Sequence, residues 1–216
     1  MAAEDFILTR KRKKYKFAKF AEAVNCFEAD EWRASKRADG ELVVELGAGT
    51  GFFSVELAKR HPEKQFIAVD VKADRLYQGA KLALEHNVPN VVFVRAHADQ
   101  LGELFQPKSV DELWLTFSDP FPKKRQAKHR LTHPHFLQQY AEILQPGGVL
   151  HCKTDNQPLF TWSLEQLVAE KWRLVQLSFD LHESSLPDDY KIKTTFESRF
   201  TNQGLPIYMV DAVFAS

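Results

Sequence analysis

From Glu41 onward the chain alternates short apolar, β-rich runs with longer amphipathic stretches, and few folds satisfy that alternation. The β-rich runs are Leu42–Leu46, Phe66–Asp70, Val91–Arg95, Glu112–Phe117 and Val149–Thr154; helical patterns fill Phe53–Arg60, Ala73–His86, His135–Leu144 and about Leu159–Lys171. Strand, helix and strand repeated at this spacing predict a parallel sheet covered on both faces. Pro146-Gly147-Gly148 is expected as a turn just before the fifth strand. Trp172–Phe179 and Pro206–Phe214 add two strands, separated by a polar loop at Glu183–Thr195. With no repeats, no linker and no second core, the expectation is one doubly wound, Rossmann-like α/β domain over residues 41–216, preceded by a basic arm over residues 1–40.

That arm carries Arg10, Lys11, Arg12, Lys13 and Lys14, then Lys16 and Lys19 interleaved with Tyr15 and Phe17. A second basic cluster comprises Lys123, Lys124, Arg125, Lys128, His129 and Arg130. Both stand out because the chain as a whole has no net charge, so the cations are concentrated rather than spread. Clustered cations beside aromatic rings suit phosphate contacts on a polyanion. No run of apolar residues is long enough to cross a membrane. Two cysteines, Cys26 and Cys152, are too few for a disulfide framework or a structural zinc site, and a reducing cytoplasm is the expected compartment. His129, His133, His135 and His151 lack ligand partners at metal-binding spacing, so no metal is expected.

Strand Leu42–Leu46 runs into Gly47-Ala48-Gly49-Thr50-Gly51 and then into a helix. Glycines at that corner let the backbone turn and approach a ligand at a helix N-terminus. The dinucleotide fingerprint GxGxxG is missed by one residue, because position 52 is Phe. Glu45, two residues before the first glycine, would repel a pyrophosphate and suits an ammonium. Asp70 ends the second strand, nineteen residues after Gly51, where an acid can chelate ribose hydroxyls. An acid for an ammonium and an acid for a ribose point to S-adenosylmethionine rather than NAD. After the fourth strand comes Ser118-Asp119-Pro120-Phe121-Pro122, in which two prolines stiffen the backbone around Asp119. At a strand's carboxyl end, Asp119 is expected to face the ligand crevice.

The run FSDPFPKKRQAKHRLTHPHFL, followed by PGGVLHCKTDN and TTFESRFTNQGLPIY, resembles the bacterial tRNA (guanine-N7-)-methyltransferase family over roughly residues 42–216. The resemblance implies a class I methyltransferase fold with a seven-stranded sheet whose last strand is antiparallel. It implies methyl transfer from S-adenosylmethionine to N7 of a guanosine in tRNA, at position 46 of the variable loop. It assigns Glu45, Gly47, Gly49, Gly51 and Asp70 to the cofactor, and Asp119 to both cofactor and catalysis. Lys123, Asp155, Thr194, Thr195, Phe196 and Glu197 fall at positions that hold the guanosine, and Lys124 to Arg130 resemble the RNA-contacting segment. The family has Trp at Phe121 and Glu at Asp70, and both changes keep the chemistry. His97 departs from the family's Asp beside the adenine, which leaves that contact to His97 itself, to Asp99 two residues on, or to a backbone amide. Alternatives kept open are a base-amine or protein methyltransferase of the same fold and an RNA-binding module that has lost catalysis. A monomer and a homodimer fit the sequence equally.

Overall fold

In the computed structural model, residues 18–34, 40–194, 197, 200–201 and 203–215 are described. Eight strands form one sheet: β1 (Cys26–Glu28), β2 (Leu42–Leu46), β3 (Gln65–Asp70), β4 (Val91–Arg95), β5 (Val110–Thr116), β6 (Leu144–Thr154), β7 (Trp172–Ser178) and β8 (Tyr208–Phe214). Their spatial order is β1-β4-β3-β2-β5-β6-β8-β7. The pairs from β1 to β6 are parallel, and β8 runs antiparallel between β6 and β7. The order reverses at β2, and there the crevice above the strand ends opens.

Why the strands read as continuous apolar runs is visible in β2, buried at every position. Leu42, Val44 and Leu46 join one core layer; Val43 joins the other. Helices α2 (Phe52–Arg60) and α3 (Ala73–Glu85) cover the second layer, and α3 buries Ala73, Leu76, Ala80 and Ala83 at helical spacing. Helices α4 (Leu101–Leu104), α5 (Pro134–Ile143) and α6 (Gln157–Ala169) cover the first layer with Leu101, Leu104, Phe136, Leu137, Tyr140 and Phe160. The two-residue period of the strand puts Glu45 on the same face as Val43, under α2.

The sheet departs from the sequence expectation at two places. Residues 18–34 are not part of a separate arm: Phe20 and Trp32 lie in the core, Cys26 pairs in register with Phe93, and α1 (Ala29–Ala34) follows the strand. That added edge strand makes eight where seven were expected. Three residues long, it carries too little periodicity to be seen before its partner is known. Pro146-Gly147-Gly148 lies inside β6, at the bulge where pairing jumps from Val110–Leu144 to Glu112–Val149, rather than in a turn before the strand. The cations Arg10, Lys11, Arg12, Lys13 and Lys14 fall outside the described residues.

Candidate active site

The carboxyl ends of β2, β3, β5 and β6 open into a cleft of about 1170 Å³. Glu45, Gly47, Gly49, Asp70, His97, Asp99, Asp119, Asp155 and Thr194 all line it, so the topology gathers residues spread over 150 positions into one space.

The glycine loop forms the near wall. Gly47 and Ala48 donate their N–H groups to the Val69 carbonyl at 2.8 and 3.0 Å, which bends the chain off β2 over β3. Gly49 has φ +58 and no atom within 4 Å of where a Cβ would stand, so bare backbone faces the cleft. Gly51 is glycine for a second reason: φ is +66, and a Cβ there would lie 2.6 Å from the Phe93 ring. Asp70 holds this loop, accepting from Gly49 N and Lys72 N, both at 2.9 Å.

Glu45 forms the floor, 2% exposed. One of its oxygens accepts from Ser54 Oγ at 2.6 Å and the other from Thr116 Oγ1 at 2.6 Å. Burial pushes its carboxyl above the ordinary range, against the pull of those hydroxyls, the Ser54 N–H and the Lys153 ammonium. A buried carboxylate held by hydroxyls and facing a cleft is a site for a cationic group, which would restore the solvation lost to burial.

The far wall is the loop after β5. Phe117 at φ +52 and Phe121 at φ +41 flank Ser118-Asp119-Pro120. Left-handed backbone at two aromatic residues costs about 1–3 kcal/mol each and persists only where the surroundings enforce it. Asp119 stands between them, exposed to the cleft. From β6, the run Lys153-Thr154-Asp155-Asn156 divides its labour. Asn156 caps α6 by accepting from Leu159 N at 2.8 Å, and Asp155 lines the cleft, its carboxyl pushed up by burial. Lys153 turns inward.

Lys153 is the residue that sequence reading missed. Its side chain is 0% exposed, and its ammonium donates to Tyr190 O at 2.6 Å, Ile192 O at 3.1 Å and Glu197 Oε2 at 3.0 Å. Glu197 was expected at the guanosine. It is instead fully buried, accepting from Lys153 on one oxygen, with His182 Nε2 2.9 Å from the other. Thr194 and Glu197 form a reciprocal pair: Thr194 N donates to Glu197 Oε2 at 3.2 Å, and Glu197 N to Thr194 Oγ1 at 3.0 Å. This is the capping-box arrangement, legible in the Thr-x-x-Glu spacing. Thr195 and Phe196 lie outside the described residues.

The second basic cluster divides as well. Lys123 precedes a 3₁₀ turn spanning Lys124–His129, on which Lys124, Arg125, Lys128 and His129 are exposed; His129 lines the cleft, whereas Lys123 does not. No ion pair engages Lys123, Lys124, Arg125 or Lys128 among the described residues. Arg130, expected as an RNA contact, folds back: Nε donates to Pro120 O and Nη2 to Phe121 O, both at 3.0 Å, and the guanidinium lies 4.5 Å from the centre of the Trp162 ring. His97 reaches the cleft through its exposed side chain, while Asp99 lies 3.1 Å from His135 Nε2 at the rim.

Fold and site together define a class I, S-adenosylmethionine-dependent methyltransferase. Chains of similar fold include the 16S rRNA methyltransferase KamB, at TM-score 0.62 and 16% identity over 87% of this chain and 92% of that one. A SAM-dependent methyltransferase from Aquifex aeolicus is similar at TM-score 0.58 and 13% identity, covering 82% and 84%. The methyltransferase family Methyltransf_4 matches residues 39–210. The tRNA (guanine-N(7)-)-methyltransferase of Brevibacillus brevis is 40% identical over 86% of each chain, and that of Lactiplantibacillus plantarum 37% identical over 85% of each. The chain belongs to this family, that of the tRNA (guanine-N(7)-)-methyltransferases.

Proposed function

We propose that the protein transfers the methyl group of S-adenosylmethionine to N7 of a guanosine in tRNA, at position 46 of the variable loop. The observation that carries the reading is the meeting of Glu45, Asp70, Asp119 and Asp155 in one cleft around a bare glycine backbone. The residues present suit the cofactor: buried Glu45 would take the ammonium, Asp70 the ribose hydroxyls, and Gly47 and Gly49 would give the close approach, with Gly51 packed behind them on Phe93. His97 and Asp99 stand on the adenine side. When bound, the cofactor supplies a sulfonium-activated methyl group. Guanine N7 has a lone pair and carries no proton, so the protein needs no general base. Its residues orient the base and support the positive charge that develops on it.

Asp119 supplies the negative charge that counters it. Asp155 accepts from the guanine N1–H and amino group, a donor pair that offsets the burial which pushes its carboxyl up. Thr194, which lines the cleft, forms the opposite side of the guanosine site, Glu197 holds its backbone from behind, and Lys123, outside the cleft lining, meets a phosphate. Lys124, Arg125, Lys128 and His129 form an exposed path for the RNA backbone, and Arg10, Lys11, Arg12, Lys13 and Lys14 add further phosphate contacts. The guanosine is flipped out to reach the cleft. No helix among the described residues is long and apolar enough to cross a membrane, and a tRNA substrate places the enzyme in the cytoplasm.

The test incubates the protein with unmodified tRNA transcript and methyl-labelled S-adenosylmethionine, then digests the RNA to nucleosides. Label in 7-methylguanosine is expected. Label in another nucleoside would move the target, and bound cofactor without any label would overturn the reaction.

A further inference from the structure

We propose that Arg130 is a positioning residue: its guanidinium holds Phe121 in a turned backbone and thereby fixes Asp119 against Asp155. The inference rests on the methyl-transfer reading above and assigns within it a role opposite to that of the neighbouring cations.

Phe121 is doubly misplaced by its own chemistry. An aromatic residue disfavours positive φ, and a residue before proline, as Phe121 is before Pro122, is pushed to extended backbone. Its φ is nevertheless +41. The two carbonyls that Arg130 grips, those of Pro120 and Phe121, belong to the peptide planes on either side of that residue. In an extended chain successive carbonyls point to opposite sides. One planar guanidinium satisfies both only when the chain is turned between them, so the fork and the unusual φ are one arrangement.

The clamp has a backing plate. Trp162, on α6, lies under the guanidinium at 4.5 Å. Helix α6 begins directly after Asp155 and Asn156. Arg130 therefore ties the loop carrying Asp119 to the corner carrying Asp155, the two carboxylates assigned to the base. Lysine keeps the charge but not the fork, because its ammonium is a point donor on a flexible stem. That difference separates a clamp from a phosphate contact.

The experiment measures tRNA methylation, cofactor binding and the salt dependence of tRNA binding for wild type, Arg130→Lys and Arg130→Ala. The clamp predicts that Arg130→Lys loses at least about tenfold in kcat, because misplacement of a reacting group is costly where charge retention is not. Cofactor affinity should stay within about twofold, and the salt slope should be unchanged. Millimolar guanidinium, but not ammonium, should restore part of the kcat of Arg130→Ala. The proposal is overturned by a near-normal kcat in Arg130→Lys, or by a salt slope reduced by about one in Arg130→Ala, which would make Arg130 a phosphate contact. Loss of cofactor binding in both variants would also overturn it, since the effect would then not be confined to the loop. Absence of methylation by the wild type would instead remove the reaction itself.

Discussion

Replacing Lys153 by Met keeps the length of the side chain and removes its charge and all three donors. The ammonium is wholly buried, as is its partner Glu197. The substitution leaves a buried carboxylate with His182 and the Thr194 N–H for support, and leaves the Tyr190 and Ile192 carbonyls without this donor. Removing one member of a buried ion pair costs about 3–5 kcal/mol, and each carbonyl that stays unsatisfied about 1–3 kcal/mol more. Relaxation of residues 190–194 recovers part of the second contribution, so the expected loss is at least about 3 kcal/mol. In a chain of this size that lowers Tm by about 6–12 °C. Urea unfolding followed by circular dichroism measures it, with Lys153→Met/Glu197→Met as the companion variant. The double variant should be more stable than Lys153→Met alone, because the orphaned charge is gone. A loss below about 1 kcal/mol in Lys153→Met would refute the view that this lysine anchors the loop.

Gly51→Ala should cost about 2–5 kcal/mol, since positive φ and contact with the Phe93 ring both oppose a Cβ; an unchanged urea midpoint would contradict this. Asp119→Asn should lower kcat at least tenfold, to order of magnitude, with the fold intact, and near-normal turnover would remove its charge-supporting role. His151 is buried, which alone would lower its pKa, but Asp211 at 2.6 Å and Glu112 at 3.5 Å outweigh burial and raise it. The stabilisation is therefore complete below the ordinary histidine value of about 6.5 and is lost as pH rises through the higher folded value. His151→Gln should flatten the fall in stability above neutral pH, and a parallel pH profile would exclude that origin. Deleting residues 1–17 should weaken tRNA binding and flatten its salt dependence while leaving cofactor affinity alone; unchanged tRNA affinity would show the arm idle.

The glycine turn and the acids that meet beside it in the cleft were legible in the sequence because their signals are local. A strand end, a glycine corner and an acid at a fixed offset are properties of neighbouring residues. The opposite side of the cleft was legible as a motif but not as a set of roles. Thr194-Thr195-Phe196-Glu197 was recognisable, yet nothing in it told that Glu197 turns away from the cleft toward a lysine forty-four residues earlier. The cations from Lys123 to Arg130 look alike in sequence. Arg130 differs from the others only because Trp162 and two carbonyls stand within its reach.

By itself the sequence determined the alternation of elements, the glycine turn and the acids that end the strands, since hydrophobic period and backbone permissiveness act within a few residues. The tertiary structure alone decided that Cys26–Glu28 joins the sheet and that Lys153 and Glu197 are buried as a pair. It alone decided, too, that Arg130 grips a backbone rather than facing solvent. The reason is physical: whether a short edge strand pairs, or a charge is buried or solvated, depends on partners brought from distant parts of the chain.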